Sequence, residues 1–213
     1  MQHFRNNEGA VALNRVIKAI QQNKDYLGVV DGEIGDGDHG VNMNKGFSMA
    51  AERIGPQHGF SDASKILAEA LMDDIGGSMG PLYGSFFKTL WRHSRNLERI
   101  DALQYLAMLK AATDSVMEIG GAKVGDKTLV DTLSPACSAL EAELTANSDF
   151  DSALAASTKA AEIGRDSTKE MIAQVGRSAR LGERSRGVLD AGAASSFIII
   201  ESMHTAIRTI LHE

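Results

Sequence analysis

Asp31-Gly-Glu-Ile-Gly35-Asp36-Gly37-Asp38-His39-Gly40-Val41-Asn42-Met-Asn-Lys45 is the stretch on which the reading of the fold turns. Its Gly35-x-Gly37-x-x-Gly40 spacing spells the dinucleotide fingerprint of an α/β domain. That motif needs a preceding strand, a βαβ unit and a later acidic residue on the ribose, and none is apparent here. Asp36 and Asp38 would also confront a pyrophosphate with like charge. A calcium loop fails on spacing, because position twelve counted from Asp31 or Asp36 is Asn42 or Phe47 rather than glutamate. What remains is a loop of three aspartates. Carboxylates this close repel one another, and ionising all of them calls for a compensating cation. Hard, oxygen-seeking Mg²⁺, which bridges carboxylates to nucleotide phosphates, is the natural candidate. A solvated acidic turn would be the default for one Asp-Gly pair, but not for three aspartates with His39 and Asn42.

Outward from this loop the apolar residues recur at helical spacing. Val11, Leu13, Val16, Ile17 and Ile20 line one face of a first helix expected to end near Gly28. A second carries Met43, Phe47 and Ala50 up to Gly55-Pro56. Ser61 is a candidate cap for a third, with Ile66, Leu67, Ala70 and Leu71, which Gly76-Gly77 ends. A fourth begins around Pro81 and runs through Phe87, Leu90 and Trp91. Further helices are expected over 101–118, 129–146, 150–175 and 188–211. That makes about eight helices and no convincing strand, so residues 1–213 read as one all-α domain.

With 213 residues the chain is long enough for a substantial core, and its formal charge of −6 lacks the basic stripe of a nucleic-acid binder. The one cysteine, Cys137, lies in an apolar helical context and reads as a small buried hydrophobe. A lone cysteine forms no internal disulfide, which fits a reducing compartment. The N-terminus lacks the apolar core of a signal peptide, and the run Phe197–Ile200 stops at Glu201, far short of a membrane span. The expectation is a cytoplasmic protein with no membrane or nucleic-acid partner. Oligomeric state stays open, since an apolar helix face serves as core or as interface, and a homo-oligomer is compatible with it.

Glycines collect at four expected helix junctions, 35–40, 76–84, 120–125 and 176–192. One or two such clusters would be ordinary caps. Four polar ones are read as loops meeting around a single site at one end of a bundle, where backbone N–H groups can approach an anion. Gly120-Gly-Ala-Lys-Val-Gly125-Asp126-Lys127-Thr128 nearly spells a P-loop, but Asp126 intrudes and the preceding element looks helical. Lys127 and Thr128 are left as phosphate helpers or braces of the loop, with Thr128 equally a plain cap. Met79 and Leu82 offer apolar surface to a purine, although Leu82 alone would be core. Arg177, Arg180, Arg184 and Arg186 lie near Glu183 and Asp190, usually a solvated face, though one guanidinium could pair with phosphate. His39 suits a nucleotide contact or a supporting role better than metal ligation.

Together these motifs resemble the L subunit of dihydroxyacetone kinase, the nucleotide-binding half of that enzyme. The resemblance is carried by Asp31-Gly-Glu-Ile-Gly-Asp36-Gly-Asp38-His39-Gly-Val-Asn42, Gly-Gly-Ser78-Met79-Gly-Pro-Leu-Tyr-Gly, Gly125-Asp-Lys-Thr128 and Gly176-Arg177 through Asp190-Ala191-Gly192. It implies an antiparallel eight-helix barrel with ADP or ATP bound at one end. It also implies two Mg²⁺ ions held by Asp31, Asp36 and Asp38. Nucleotide contacts would fall to His39, Gly40, Val41, Asn42, Ser78, Met79, Gly120, Leu129, Arg177, Asp190, Ala191 and Gly192. A separate K-type subunit would carry the ketose, bound to a histidine.

Two donor routes follow from the resemblance. In one, ADP stays bound and is rephosphorylated by an M subunit of the sugar phosphotransferase system. In the other, ATP exchanges as a substrate. A separate L chain leans toward the first. Met79 stands where a small hydroxyl residue is common, Arg180 replaces a tyrosine and Ala191 a proline, which opens the ketose to alternatives such as a tetrulose. The rival readings are a nucleotide-dependent regulatory module and an Mg²⁺-dependent phosphohydrolase; for the latter His39 is the only visible base.

Overall fold

The computed structural model describes residues 2–75 and 77–213, so the helix stop expected at Gly76 lies outside the described residues. Nine α-helices are present among them: α1 Ala10–Gln22, α2 Lys24–Gly32, α3 His39–Arg53, α4 Phe60–Asp74, α5 Met79–Ser94, α6 Ala102–Gly120, α7 Val130–Thr145, α8 Phe150–Ser167 and α9 Ala191–Leu211. From α3 to α9 each helix packs on the next. α9 returns to α1, and α1 closes on α3, so eight helices complete a ring with α2 wedged beside α3 and α9. The connections are short for the most part, so consecutive neighbours run in opposite directions. An all-α fold is the outcome.

The ring's interior is filled by Tyr105, Phe47, Phe87, Leu13, Ile20, Leu67 and their neighbours, all fully buried. Phe47 and Phe87 meet edge to face at 5.8 Å, and Phe86 and Phe87 at 5.3 Å. Each such side chain taken from water contributes roughly 2 kcal/mol.

The local departures from expectation have identifiable causes. The first helix breaks at Asn23, whose side-chain amide donates to the Ala19 carbonyl and ends α1. α2 then runs past Gly28, through Val29 and Val30, and puts Asp31 in its last turn. Ser61 does not cap α4. Gly59 holds that position, Asp62 accepts its N–H, and the Ser61 N–H is taken by the Asn6 side chain from the far end of the sequence. Helix α8 stops at Ser167 instead of Val175 and passes into a 3-10 turn, Thr168–Glu170. Two three-residue strands, β1 His3–Arg5 and β2 Arg99–Asp101, pair antiparallel, Phe4 opposite Ile100, in a ribbon that was not expected. Among the described residues no helix is long and apolar enough to cross a membrane.

Alternation places the site. In an up-and-down ring every second connection lies at the same end. The connections after α2, α4, α6 and α8 are the four glycine-rich junctions. Those after α3, α5 and α7, with the β1–β2 ribbon, occupy the other end.

Candidate functional site

All four junctions line one cavity of about 740 Å³, within the range of small-molecule sites. Asp31, Asp36, Asp38, His39 and Asn42 come from the first, Ser78 and Met79 from the second, Gly120 and Leu129 from the third, and Arg177, Asp190, Ala191 and Gly192 from the fourth. Gly40 and Val41 are not in this wall. Val41 is exposed on α3, and Gly40 is where α3 crosses α2: a Cβ there would lie 1.9 Å from the Lys24 carbonyl oxygen. Glycine lets the two backbones touch, and that contact sets Asp31 at the end of α2 against His39 at the start of α3.

The three aspartates are placed so that they could hold a cation. Each offers one carboxylate oxygen, and the three oxygens lie within 4.8 Å of one another. Asp31 is held by the fold: its Oδ2 accepts the His39 N–H at 3.3 Å, while its Oδ1 fills the space where a Cβ at position 35 would sit, 2.3 Å away. Asp36 and Asp38 are exposed to the cavity. An all-oxygen, anionic donor set open to a cavity suits a hard divalent ion that keeps water or phosphate ligands. Arg177 reaches across from the fourth junction and pairs with Asp36.

Opposite the carboxylates the wall is apolar, with Leu82, Val116, Ile119, Ala122 and Leu129. The cavity is therefore lined by both kinds of surface: carboxylates that could hold a metal ion, and apolar side chains against which a ring could pack. His39 sits between them. Its Nε2 lies 2.9 Å from Ser195 Oγ, which is 2.6 Å from the Tyr83 hydroxyl. Burial pushes the imidazole down to about 4 against the opposing pull of Asp31, so it is neutral near pH 7. Burial also raises the Tyr83 hydroxyl, which stays protonated.

The third junction is braced from within. Asp131 Oδ1 accepts the Gly125 N–H at 2.6 Å and Oδ2 the Thr128 N–H at 2.8 Å. The Thr128-x-x-Asp131 spacing is a capping pattern legible in the sequence, although Asp131 was not singled out. Thr128 Oγ1 also accepts the Val130 N–H. Lys127 turns inward and donates to the carbonyls of Thr168 and Val188. Asp190 caps α9 through the Ala193 N–H, and burial pushes its carboxyl up to about 6. Of the two roles the sequence allows Lys127, the structure gives it that of a brace, whereas Tyr83 and Ser195 carry no sequence signal of their pairing; all these contacts join residues far apart along the chain.

The DAK2 domain model matches residues 33–205. The chain is 34% identical over 199 residues to the PEP-dependent dihydroxyacetone kinase, ADP-binding subunit DhaL, of Escherichia coli strain K12, covering 92% of this chain and 94% of that one. It is 31% identical over 204 residues to the L-erythrulose kinase of Pectobacterium atrosepticum, covering 94% of this chain but 35% of that protein. The crystal structure of the dihydroxyacetone kinase from C. freundii in complex with AMP-PNP and Mg²⁺ has the same fold, with a TM-score of 0.68 at 22% identity. That alignment covers 92% of this chain and 33% of the other.

Proposed function

The chain belongs to the DAK2 domain family, and from that premise we propose that it is the nucleotide-binding subunit of a ketose kinase. It passes a phosphoryl group from a Mg²⁺-bound adenine nucleotide to a ketose held on a K-type partner. One observation carries this reading: four loops converge on one cavity that is acidic at one end and apolar at the other. The names of its relatives support a kinase subunit, and the ADP-binding description of the E. coli relative favours a nucleotide retained through turnover.

In this reading residues 1–213 act as one nucleotide-binding domain. Asp31, Asp36 and Asp38 hold two Mg²⁺ ions, which neutralise phosphate charge. His39, Asn42, Ser78, Gly120 and Arg177 surround the polyphosphate and ribose. Met79, Leu82 and Leu129 enclose the base, and Asp190, Ala191 and Gly192 close the turn at the N-terminus of α9. Phosphoryl transfer asks a protein for positioning and charge neutralisation more than for covalent help. This chain supplies both, and the ketose comes on another surface. Gly40 and Val41 act outside the cavity wall, Gly40 by setting the approach of α2 to α3. A phosphotransferase-system M subunit as the donor, and a cytoplasmic setting consistent with the buried, thiol-form Cys137, complete the reading.

Mixing the pure chain with a K-type subunit, Mg²⁺ and either dihydroxyacetone or erythrulose tests it, with ATP or a phosphorylated M subunit as donor. Ketose phosphate formed only when K is present is the expected result. Phosphate released from ATP without K would mean a hydrolase, and nucleotide binding without any product would mean a regulatory module.

A further inference from the structure

The segment between Thr168 and Val188 leaves the ring as a strap that forms part of the cavity wall and reaches across to the first junction. Val175, Gly176, Arg177 and Ser178 form part of the cavity wall, Arg177 pairs with Asp36, and Ser178 Oγ approaches the Ile34 carbonyl at 3.4 Å. The strap is tied internally: the Ala173 N–H donates to Ser185 Oγ, and Gly187 N–H to the Lys169 carbonyl at 2.7 Å. Both of its feet meet one cation. Lys127, 2% exposed, donates from its ammonium to the carbonyls of Thr168 and Val188, the residues just before and just after the strap.

Nothing local requires a lysine there. Its backbone is left-handed, with φ 62°, a conformation uncommon outside glycine, and that turn aims the side chain inward. Asp131 fixes the turn from the helix side. Burial pulls the lysine below its ordinary value, and the negative charges of Asp190, Asp131 and Glu170 offset part of that cost. Hydrogen bonds from a charged donor are about twice as strong as neutral ones, and here a single group delivers two to carbonyls twenty residues apart.

We infer that Lys127 is a positioning residue that pins both feet of the 169–187 strap and so sets how slowly a bound nucleotide leaves the cavity. The second half rests on the nucleotide reading above; the pin itself does not. Lys127→Met keeps an unbranched apolar stem as far as the ε position and removes both bonds.

Limited trypsin digestion of the nucleotide-free protein reads the pin, because Arg177, Arg180, Arg184 and Arg186 all lie in the strap. In Lys127→Met, cleavage within the strap should speed up at least fivefold, while Lys123→Met, an exposed lysine of the same junction, leaves it unchanged. Stopped-flow release of a fluorescent ADP analogue with Mg²⁺ reads the consequence. The off-rate should rise at least tenfold and the on-rate much less, a split that general destabilisation would not produce. Strap cleavage within twofold of native overturns the pin, and faster cleavage with an unchanged off-rate overturns its role in retention. If the native protein binds no Mg-ADP, the nucleotide reading fails while the digestion still decides the pin. Should Lys127→Met not fold, ¹⁵N NMR of the native protein replaces it. An ammonium signal from Lys127 protected from solvent exchange supports the pin, and one exchanging like a surface lysine refutes it.

Discussion

Gly40→Ala perturbs the site without touching any group that could contact a ligand. The added Cβ would stand 1.9 Å from the Lys24 carbonyl oxygen and 2.8 Å from the Gly28 nitrogen, both backbone atoms that cannot rotate away. A carbon needs about 3.2 Å from such an oxygen, so α3 must retreat from α2 by more than 1 Å. Overpacking of this kind costs about 1–3 kcal/mol, and a backbone obstacle puts it at the upper end. For a chain of this size that is a fall of roughly 6–12 °C in melting temperature. The retreat also separates Asp31, on α2, from Asp38 and His39 at the start of α3, and a cation site tolerates errors of only a few tenths of an ångström. Titration calorimetry with Mg²⁺ and ADP should therefore show at least a tenfold loss of affinity, well beyond what loss of stability alone explains in a protein still folded at 25 °C. A variant that melts within 2 °C of native and binds Mg-ADP equally would refute the claim that this helix contact sets the aspartates.

Asp36→Asn should weaken Mg²⁺-dependent ADP binding tenfold or more, and Glu33→Gln, on the same loop, should not; equal affinities in calorimetry would remove Asp36 from the metal site. Asn6→Ala tests the opposite end of the ring. It deletes bonds from Asn6 Nδ2 to the Ser94 and Leu97 carbonyls and to its Oδ1 from the Ser61 N–H. About 3 kcal/mol of stability should go, with ADP affinity intact, and a coupled loss of affinity in thermal and calorimetric scans would contradict the separation of the two ends. Asp190 titrates higher in the native protein, about 6, than in the unfolded chain, so its contribution falls as pH rises from about 4 to 6. Asp190→Asn keeps a capping oxygen for Ala193, and its stability relative to native should rise over that window by about 1–2 kcal/mol, the lower part of the roughly 3 kcal/mol the raised pKa implies, because the side chain opens on the cavity. Denaturant melts at several pH values that show a flat difference would refute the buried-carboxylate account.

Much of the ring is written locally. Asp101 caps α6 by exchanging bonds with Gln104, and the expected 101–118 lies within two residues of the observed helix. The starts of α7 and α9 follow from the same local logic of turn, cap and apolar period. What escaped the sequence reading depends on partners far along the chain. The periodicity of α8 runs on toward Val175, but the Thr168 carbonyl takes the Met171 N–H in a 3-10 turn and the Lys127 ammonium from another junction, and the α-helix goes no further. Strands of three residues, such as His3–Arg5, have no period to show and exist only because Arg99–Asp101 lies beside them. The same division holds at the site. Three aspartates in eight residues announce a cation, and glycines at alternate junctions announce a shared end. The chain from His39 through Ser195 to Tyr83 spans 156 residues and becomes visible only once α3, α5 and α9 are packed.

The most direct test is a crystal structure of the chain grown with ADP and Mn²⁺ as an anomalous stand-in for Mg²⁺. The account predicts anomalous peaks bounded by Asp31, Asp36 and Asp38, diphosphate oxygens against them, and the adenine between Leu82 and Leu129. Nucleotide bound elsewhere, or manganese sites without these three carboxylates, would contradict it.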